Sequence, residues 1–211
     1  MDLFEDPAGT ETLEPGAVVL RSFARAAAPG LLADLGAIVA QAPLRQMVTP
    51  GGKPMSVAMT CCGALGWVSD RAGYRYVAHD PATGRPWPAM PPAFADLATG
   101  AAASAGFPGF APDACLINRY VPGTRLTLHQ DRDEADFTAP IVSVSFGVPA
   151  VFLWGGATRG APARRIRLAH GDVIVWGGPA RLNFHGIAPL AGADHPATGS
   201  LRWNLTFRKA G

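Results

Sequence analysis

The feature that most constrains the fold is a run of short strand patterns that fills the chain after Pro112. Short apolar runs there are separated by turns that contain glycine and proline, a pattern typical of short strands. Eight such strands predict a mainly β fold built as a double-sheet jelly roll, with its core at residues 112–208. The predicted strands are residues 115–120, 125–130, 141–146, 150–154, 164–169, 172–176, 183–187 and 200–208.

The first half of the chain has a different texture. Residues 1–16 are acidic and contain proline and glycine, which predicts a tail, and residues 17–23 predict a strand. Residues 29–41 and 92–106 each carry an apolar stripe with helical spacing and predict two helices. Residues 44–92, between these helices, are rich in glycine and proline and interrupted by aromatic side chains.

Composition limits the classes of protein to which the chain can belong. Of its 211 residues, 48% are hydrophobic and 16% are charged, which favours a single folded domain over a disordered chain. No apolar run is long enough to predict a transmembrane helix, and the acidic start is unlike a signal peptide. Three cysteines form neither a disulfide framework nor a zinc spacing. We therefore expect a cytoplasmic protein that does not contact a membrane.

The stretch between the predicted helices is basic as well as aromatic. Residues 44–88 hold five Lys or Arg and two Asp, a net charge of +3. Beyond the first 20 residues, which hold five acids and no base, the chain has 18 basic and 11 acidic residues, a net charge of +7. Basic groups between aromatic rings suit a surface that stacks bases and contacts phosphates. The alternative is an insertion whose aromatic rings fill a small core of its own.

The tripeptide His129-Gln130-Asp131 ends one of the predicted strands. Because successive side chains of a strand point to opposite faces, His129 and Asp131 are predicted to share a face. Together with a second imidazole they would form the two-histidine, one-carboxylate arrangement that suits non-haem Fe(II) and O₂. The best candidate for that third ligand is His185. A surface strand with two solvated polar groups is the alternative.

Two other strands carry polar side chains with the same alternation. Asn118 and Tyr120 share a face, and so do Arg202, Asn204 and Arg208, opposite an apolar face. A guanidinium binds a carboxylate through two parallel hydrogen bonds, so a dicarboxylate between the two arginines would satisfy both. A solvated sheet face is the alternative.

Seven stretches of the chain carry a family pattern: residues 45–52, 55–60, 86–91, 112–120, 128–131, 140–145 and 204–208. Together they resemble the AlkB family of Fe(II)- and 2-oxoglutarate-dependent nucleic-acid dealkylating dioxygenases, in particular its bacterial members. The resemblance spans nearly the whole chain apart from its acidic start. Lys53 departs from it, because an aromatic residue is expected there, as does Thr127, where a serine is expected.

The resemblance implies a double-stranded β-helix core with flanking N-terminal helices and a nucleotide-recognition lid at residues 44–92. The implied iron ligands are His129, Asp131 and His185. The implied 2-oxoglutarate residues, with Arg208 on the distal carboxylate, are Asn118, Tyr120, Arg202, Asn204 and Arg208. Trp67 and His129 would sandwich a flipped base whose exocyclic edge contacts Asp133. The other implied substrate residues are Thr49, Met59, Tyr74 and Arg159.

The implied activity is oxidative demethylation of bases such as 1-methyladenine and 3-methylcytosine. The substrate would be single- or double-stranded DNA, with RNA as a further candidate. O₂ would oxidise 2-oxoglutarate to succinate and CO₂, and formaldehyde would leave the base. Two alternatives stay open: a 2-oxoglutarate oxygenase that acts on a protein or small molecule, and a non-enzymatic jelly-roll binding module. A monomer without an obligate protein partner is expected.

Overall fold

The structure, a computed structural model, describes residues 8–211 and is built mainly from antiparallel strands. Its two longer helices are α1 (Ala28–Gln41) and α2 (Pro92–Ser104), and a short 3₁₀ helix spans Gly178–Ala180. The strands are β1 (Gly9–Glu14), β2 (Ala17–Arg21), β3 (Arg45–Val48), β4 (Pro54–Gly63), β5 (Gly66–Asp70), β6 (Gly73–Val77), β7 (Ala114–Tyr120), β8 (Leu126–His129), β9 (Ile141–Gly147), β10 (Ala150–Trp154), β11 (Arg164–Leu168), β12 (Val173–Trp176), β13 (His185–Ile187) and β14 (Arg202–Arg208).

Two sheets carry the fold. The larger has eight strands in the order β1-β2-β12-β9-β14-β7-β4-β3, and the smaller has four in the order β11-β10-β13-β8. Buried side chains from both sheets, among them Tyr120, Phe152 and Trp176, form one hydrophobic cluster between them. Two sheets with a shared core confirm the predicted jelly roll, and each of its eight predicted strands is present.

The helices cover the other face of the larger sheet. Leu31 of α1 and Phe94 of α2 belong to a second hydrophobic cluster, which also contains Leu205 and Phe207 of β14. Each helix has a proline in its first turn, where the missing backbone N–H would have no helical partner. Both predicted helices are confirmed. No helix within residues 8–211 is long and apolar enough to span a membrane.

The predicted acidic tail is wrong for residues 9–14, which form β1 and pair with β2 along the edge of the larger sheet. The acids that suggested a tail have specific partners. Glu14 accepts hydrogen bonds from Trp154 Nε1 at 2.6 Å and Asn183 Nδ2 at 2.7 Å, and Glu11 pairs with Arg164 at 2.9 Å. Residues 1–7 of that prediction lie outside the described part of the chain.

Residues 44–92 contain two different structures. Strands β3 and β4 extend the larger sheet, whereas β5 and β6 form a separate two-stranded ribbon. Trp87 is 4% exposed and packs where a Cβ at Gly66 would lie, with its Nε1 donating to Val77 O at 3.0 Å. Trp87 belongs to the hydrophobic cluster between the two sheets, so its ring extends the shared core and does not fill a separate small core of the insertion. Trp67 and Tyr74 have a different environment, which belongs to the site.

Candidate active site

A cavity of about 510 Å³ is lined by residues from both sheets and by the β5–β6 ribbon. Every site residue that the sequence analysis singled out contributes to its wall. These residues are Thr49, Met59, Trp67, Tyr74, Asn118, Tyr120, His129, Asp131, Asp133, Arg159, His185, Arg202, Asn204 and Arg208.

The two histidines are brought together by strand pairing. His129 of β8 is the direct antiparallel partner of His185 of β13, and their ring centroids are 4.5 Å apart. Strand β8 ends at His129, one residue earlier than predicted, so Asp131 lies just beyond the strand. One ligand atom from each of the three residues still falls within 4.8 Å of the others.

The hydrogen bonds of the histidines fix which ring nitrogen is available. The Nδ1 atoms of His129 and His185 lie 2.9 Å from Thr127 O and 3.1 Å from Asn183 O. A carbonyl can only accept, so each Nδ1 carries the proton and each Nε2 presents its lone pair. Both Nε2 atoms are 3.7 Å from a carboxylate oxygen of Asp131. This donor set fits a divalent metal with histidine tautomers set by backbone carbonyls.

The protonation states also fit a metal. Burial, reinforced by the nearby His129, lowers the pKa of His185 to about 4, so His185 is a neutral ligand at neutral pH. Burial alone would raise the pKa of Asp131, but the guanidinium charge of Arg208 beside it holds that pKa below its usual value. The site therefore offers ionised carboxylate and neutral imidazole together, the forms that bind metals.

Arg208 lies at the metal end of the cavity and already pairs with a carboxylate there, which argues against the implied assignment of its guanidinium to a distal carboxylate. Its Nη2 and Nε are 2.7 and 3.1 Å from Asp131 Oδ2. Arg202 is six residues earlier on β14, about 20 Å away at roughly 3.3 Å per residue. The period-two pattern placed both arginines on one face, and only the tertiary structure shows which end reaches the metal ligands.

The other end of this face holds a buried cation that pairs with no acid of the described chain. Arg202 is 1% exposed, donates from Nη2 to Ser145 Oγ at 3.0 Å, and lies 4.8 Å over the Tyr120 ring. Its Nε and Nη1 have no hydrogen-bond partner, and no Asp or Glu within residues 8–211 pairs with it. Burial lowers the pKa of Arg202. A buried guanidinium with two free donors is matched to an anion that binds there.

Two asparagines lie beside this cation. Asn118 Nδ2 donates to Asn204 Oδ1 at 3.1 Å, and Asn204 Nδ2 donates to Ser143 Oγ at 2.8 Å. Strands β7 and β14 hold them in register as direct partners. Asn118 Oδ1 is buried and has no hydrogen-bond partner within residues 8–211.

The mouth of the cavity is aromatic. Trp67 stacks on Tyr74 with ring centroids 5.6 Å apart and an angle of 13° between the rings. The Nε1 of Trp67 donates to Asp133 Oδ2 at 2.7 Å, which joins the ribbon to the loop after β8. Arg159 lies 5.1 Å over the Phe184 ring. These rings form an open, partly solvated wall, since Tyr74 is 47% exposed.

Comparison with known proteins identifies the family. The model of the 2OG-Fe(II) oxygenase superfamily matches residues 16–208. The chain belongs to this superfamily. It is 61% identical to the alpha-ketoglutarate-dependent dioxygenase AlkB of Salmonella typhimurium, over all of this chain and 98% of that protein. The dioxygenase of the same name from Escherichia coli is 57% identical with the same coverage.

More distant similarities extend over parts of the chain or over its fold. The DNA N(6)-methyladenine demethylase ALKBH1D of Arabidopsis thaliana is 39% identical over 48% of this chain and 25% of that protein. The solved structure of OsALKBH1 superposes with a TM-score of 0.84 at 27% identity, over 95% of this chain and 100% of that one. The chain is thus an Fe(II)- and 2-oxoglutarate-dependent dioxygenase, and the fit of the three ligands and of Arg202 agrees with that membership.

Sequence reasoning missed several residues of this oxygenase site. Ser143, Phe152, Trp176 and Thr206 line the cavity, and so does Glu134. Ser143 and Thr206 follow the alternation of their strands and could have been found from it. Trp176 is 1% exposed, and its position in an apolar strand predicts a core residue and not a site residue. Glu134 stands among other acids in the loop after β8, and no alternation marks it as a site residue.

Proposed function

We propose that this dioxygenase oxidatively demethylates bases in nucleic acid. The observation that carries the proposal is one cavity with metal ligands in its interior and an aromatic pair, Trp67 and Tyr74, at its mouth. An aromatic platform facing a metal site suits a flat substrate that must be held edge-on to it. Alkylated DNA is the proposed substrate, RNA is a further candidate, and we expect a cytoplasmic monomer.

Within this proposal, His129, Asp131 and His185 hold Fe(II). Arg202 binds the distal carboxylate of 2-oxoglutarate through its two free donors, while Arg208 pairs with Asp131 at the metal end of the site. The remaining co-substrate residues are Asn118, Tyr120 and Asn204. When bound, Fe(II) and 2-oxoglutarate supply O₂-dependent hydroxylation of an N-methyl group, with succinate, CO₂ and formaldehyde as products.

The substrate base has to leave its stack to reach the cavity. In 1-methyladenine and 3-methylcytosine the methyl group lies on the pairing edge, which a duplex hides. Extruding a base costs a few kcal/mol, and least for a lesion that cannot pair. Both lesions are cationic, which suits the indole face of Trp67 and the carboxylate of Asp133 at the mouth. Met59, 1% exposed, closes the pocket behind the base.

The surroundings of the mouth favour a phosphate backbone. Lys53 and Arg71 stand at the tips of neighbouring hairpins, and Arg71 Nη2 is 3.8 Å from where a Cβ at Gly52 would lie. Neither cation has an ion-pair partner in residues 8–211, whereas the nearby Arg75 is neutralised by Asp70 at 2.7 Å. Thr49, in the same hairpin as Lys53, lines the cavity. A strand whose base enters the pocket would pass these positive charges.

The proposal is tested by mass analysis of methylated and unmethylated oligonucleotides after incubation with Fe(II), 2-oxoglutarate and O₂. We expect loss of the methyl group, formaldehyde release and succinate formation, all dependent on 2-oxoglutarate. Oxidation of 2-oxoglutarate without demethylation of any oligonucleotide would assign the oxygenase to another class of substrate. No oxidation at all would favour a binding module.

Trp67→Ala should selectively weaken binding of methylated single strands. Stacking of a base on an aromatic ring contributes roughly 1–3 kcal/mol, which corresponds to about 5- to 150-fold in affinity. Unmethylated strands should lose much less, because the cationic lesion gains most from the indole face. Fluorescence anisotropy with a matched pair of oligonucleotides measures both affinities.

Two controls separate this role from a structural one. Trp67→Phe keeps a ring at the mouth and should restore most of the discrimination between the two strands. Substrate-free oxidation of 2-oxoglutarate should persist in Trp67→Ala, because Trp67 contacts neither the metal ligands nor Arg202. An equal loss for methylated and unmethylated strands, together with a lower melting temperature, would show that Trp67 stabilises the ribbon instead of reading the base.

A further inference from the structure

Glu134 is a buried carboxylate beside the metal ligands to which the proposed reaction gives no role. Its side chain is 2% exposed. Three groups from separate parts of the fold surround it: Tyr76 Oη of β6 donates to it at 2.7 Å, Arg181 Nη2 donates to it at 3.1 Å, and Arg208 Nε forms an ion pair with it at 3.3 Å. A charge this deeply buried is expected to have partners, and here they come from the ribbon, from the segment after the 3₁₀ helix and from β14.

Both guanidiniums that pair with Glu134 also donate hydrogen bonds to Asp131. Arg208 Nη2 donates to Asp131 Oδ2 at 2.7 Å, and Arg181 Nη1 donates to the main-chain oxygen of Asp131 at 3.0 Å. Arg181 is further fixed by its Nε, which donates to Ala139 O at 3.0 Å. The carboxylate and the backbone of this metal ligand are therefore held by two cations, each of which is held in turn by Glu134.

The charges of this cluster balance among themselves. Asp131 and Glu134 contribute two negative charges, and Arg181 and Arg208 contribute two positive ones. Loss of the Glu134 charge would leave two buried guanidiniums around the single carboxylate that has to bind a divalent cation. Positive potential at the metal position would rise, and Arg208 would be drawn more fully onto Asp131 and compete with the metal.

Tyr76 connects this cluster of charged residues to the β5–β6 ribbon. It lies on β6 of the ribbon whose Trp67 and Tyr74 form the mouth of the cavity, and burial raises the pKa of Tyr76 above its usual range, so its hydroxyl is a donor. A shift of the ribbon that moves Tyr76 acts on Glu134, and through Arg208 on Asp131. The contacts form a continuous path from the substrate side to the metal ligand.

We propose that Glu134 is a positioning residue, which sets Asp131 for the metal and links it through Tyr76 to the β5–β6 ribbon. The first half rests on the proposed metal site alone, and the link to the ribbon also rests on the proposed nucleic-acid substrate. The two halves have separate tests, so a failure of one can be told from a failure of the other.

The first test measures Co(II) affinity by calorimetry in the full chain without nucleic acid. Glu134→Gln keeps the shape of the side chain and removes its charge. We expect Co(II) binding about 10- to 100-fold weaker, the usual effect of losing a residue that orients a metal ligand. Glu134→Asp, which restores the charge with a shorter reach, should recover part of the affinity. The visible spectrum of bound Co(II) should change in Glu134→Gln, which a loss of stability alone would not cause.

The matched control is Asp136→Asn, which removes an acid from the same loop. Asp136 is exposed, its carboxylate accepts hydrogen bonds from Thr138, and it forms no ion pair within residues 8–211, so Co(II) affinity should change little. An unchanged Co(II) affinity in folded Glu134→Gln would overturn the positioning role. If that variant does not fold, Glu134→Asp decides, because its shortened reach should still weaken Co(II) binding if Glu134 positions Asp131.

The second test concerns the link to the ribbon. In the wild type, a methylated oligonucleotide should raise Co(II) affinity by about fivefold or more, the lower end of ordinary coupling between sites. Tyr76→Phe keeps the charges and should leave Co(II) affinity in the free protein near the wild-type value, while the effect of the oligonucleotide is lost. Coupling of equal size in both proteins would overturn the link. An oligonucleotide that does not bind at all would count against the proposed substrate, and the first test would stand.

Discussion

Replacing His129, Asp131 or His185 with alanine is expected to abolish 2-oxoglutarate oxidation in each case. The three residues supply the only group of metal-ligating side chains of this kind within residues 8–211, and their ligand atoms lie within 4.8 Å of one another. Removing one leaves two protein ligands, too few to hold the metal in the facial arrangement that the family uses. Succinate formation and bound iron should fall together.

The control for this experiment is His79→Ala, since His79 is exposed and does not line the cavity. It should keep both metal binding and succinate formation. Measurements at limiting Fe(II) are needed, because excess metal can hide a weakened site. A variant at His129, Asp131 or His185 that keeps near-wild-type turnover under these conditions would show that its residue is not a ligand.

The metal site shows how far local sequence reasoning reaches. Period-two alternation places His129 and Asp131 on one side of the chain, and the cavity holds both, although β8 ends between them. His185 is 54 positions beyond Asp131, and its position opposite His129 depends on the pairing of β8 with β13. No local pattern specifies that pairing. His185 could therefore be predicted as the third ligand only by choosing among the available histidines and from the family resemblance.

The aromatic stretch shows where such reasoning stops. Trp67 and Trp87 stand in the same Gly- and Pro-rich segment, and composition does not distinguish them. Trp87 packs against Gly66 and belongs to the hydrophobic cluster between the sheets, whereas Trp67 lines the cavity. The difference depends on which parts of the fold each ring meets, which is a tertiary property. Strand β1 is a similar case, because the partners of Glu11 and Glu14 come from distant strands.

The Arg202→Met substitution is expected to weaken 2-oxoglutarate binding by orders of magnitude. Arg202 is buried with two unpartnered donors, so a carboxylate bound there would form a buried charge pair. Removing one partner of such a pair costs about 3–5 kcal/mol, roughly 150- to 5,000-fold in affinity. The melting temperature of the ligand-free protein should not fall, because the substitution removes a buried charge that has no counter-ion within residues 8–211.

A shorter co-substrate analogue separates the roles of the two arginines. A 2-oxo monoacid keeps the keto-acid end and lacks the distal carboxylate, so Arg202→Met should bind it as the wild type does. Arg208→Met should weaken the monoacid and 2-oxoglutarate alike, since Arg208 contacts Asp131 at the metal end. Calorimetry with Co(II)-loaded protein measures all four affinities. If instead Arg208→Met lost only the preference for the diacid while Arg202→Met kept it, the distal carboxylate would belong to Arg208, and the unpartnered donors of Arg202 would need another anion.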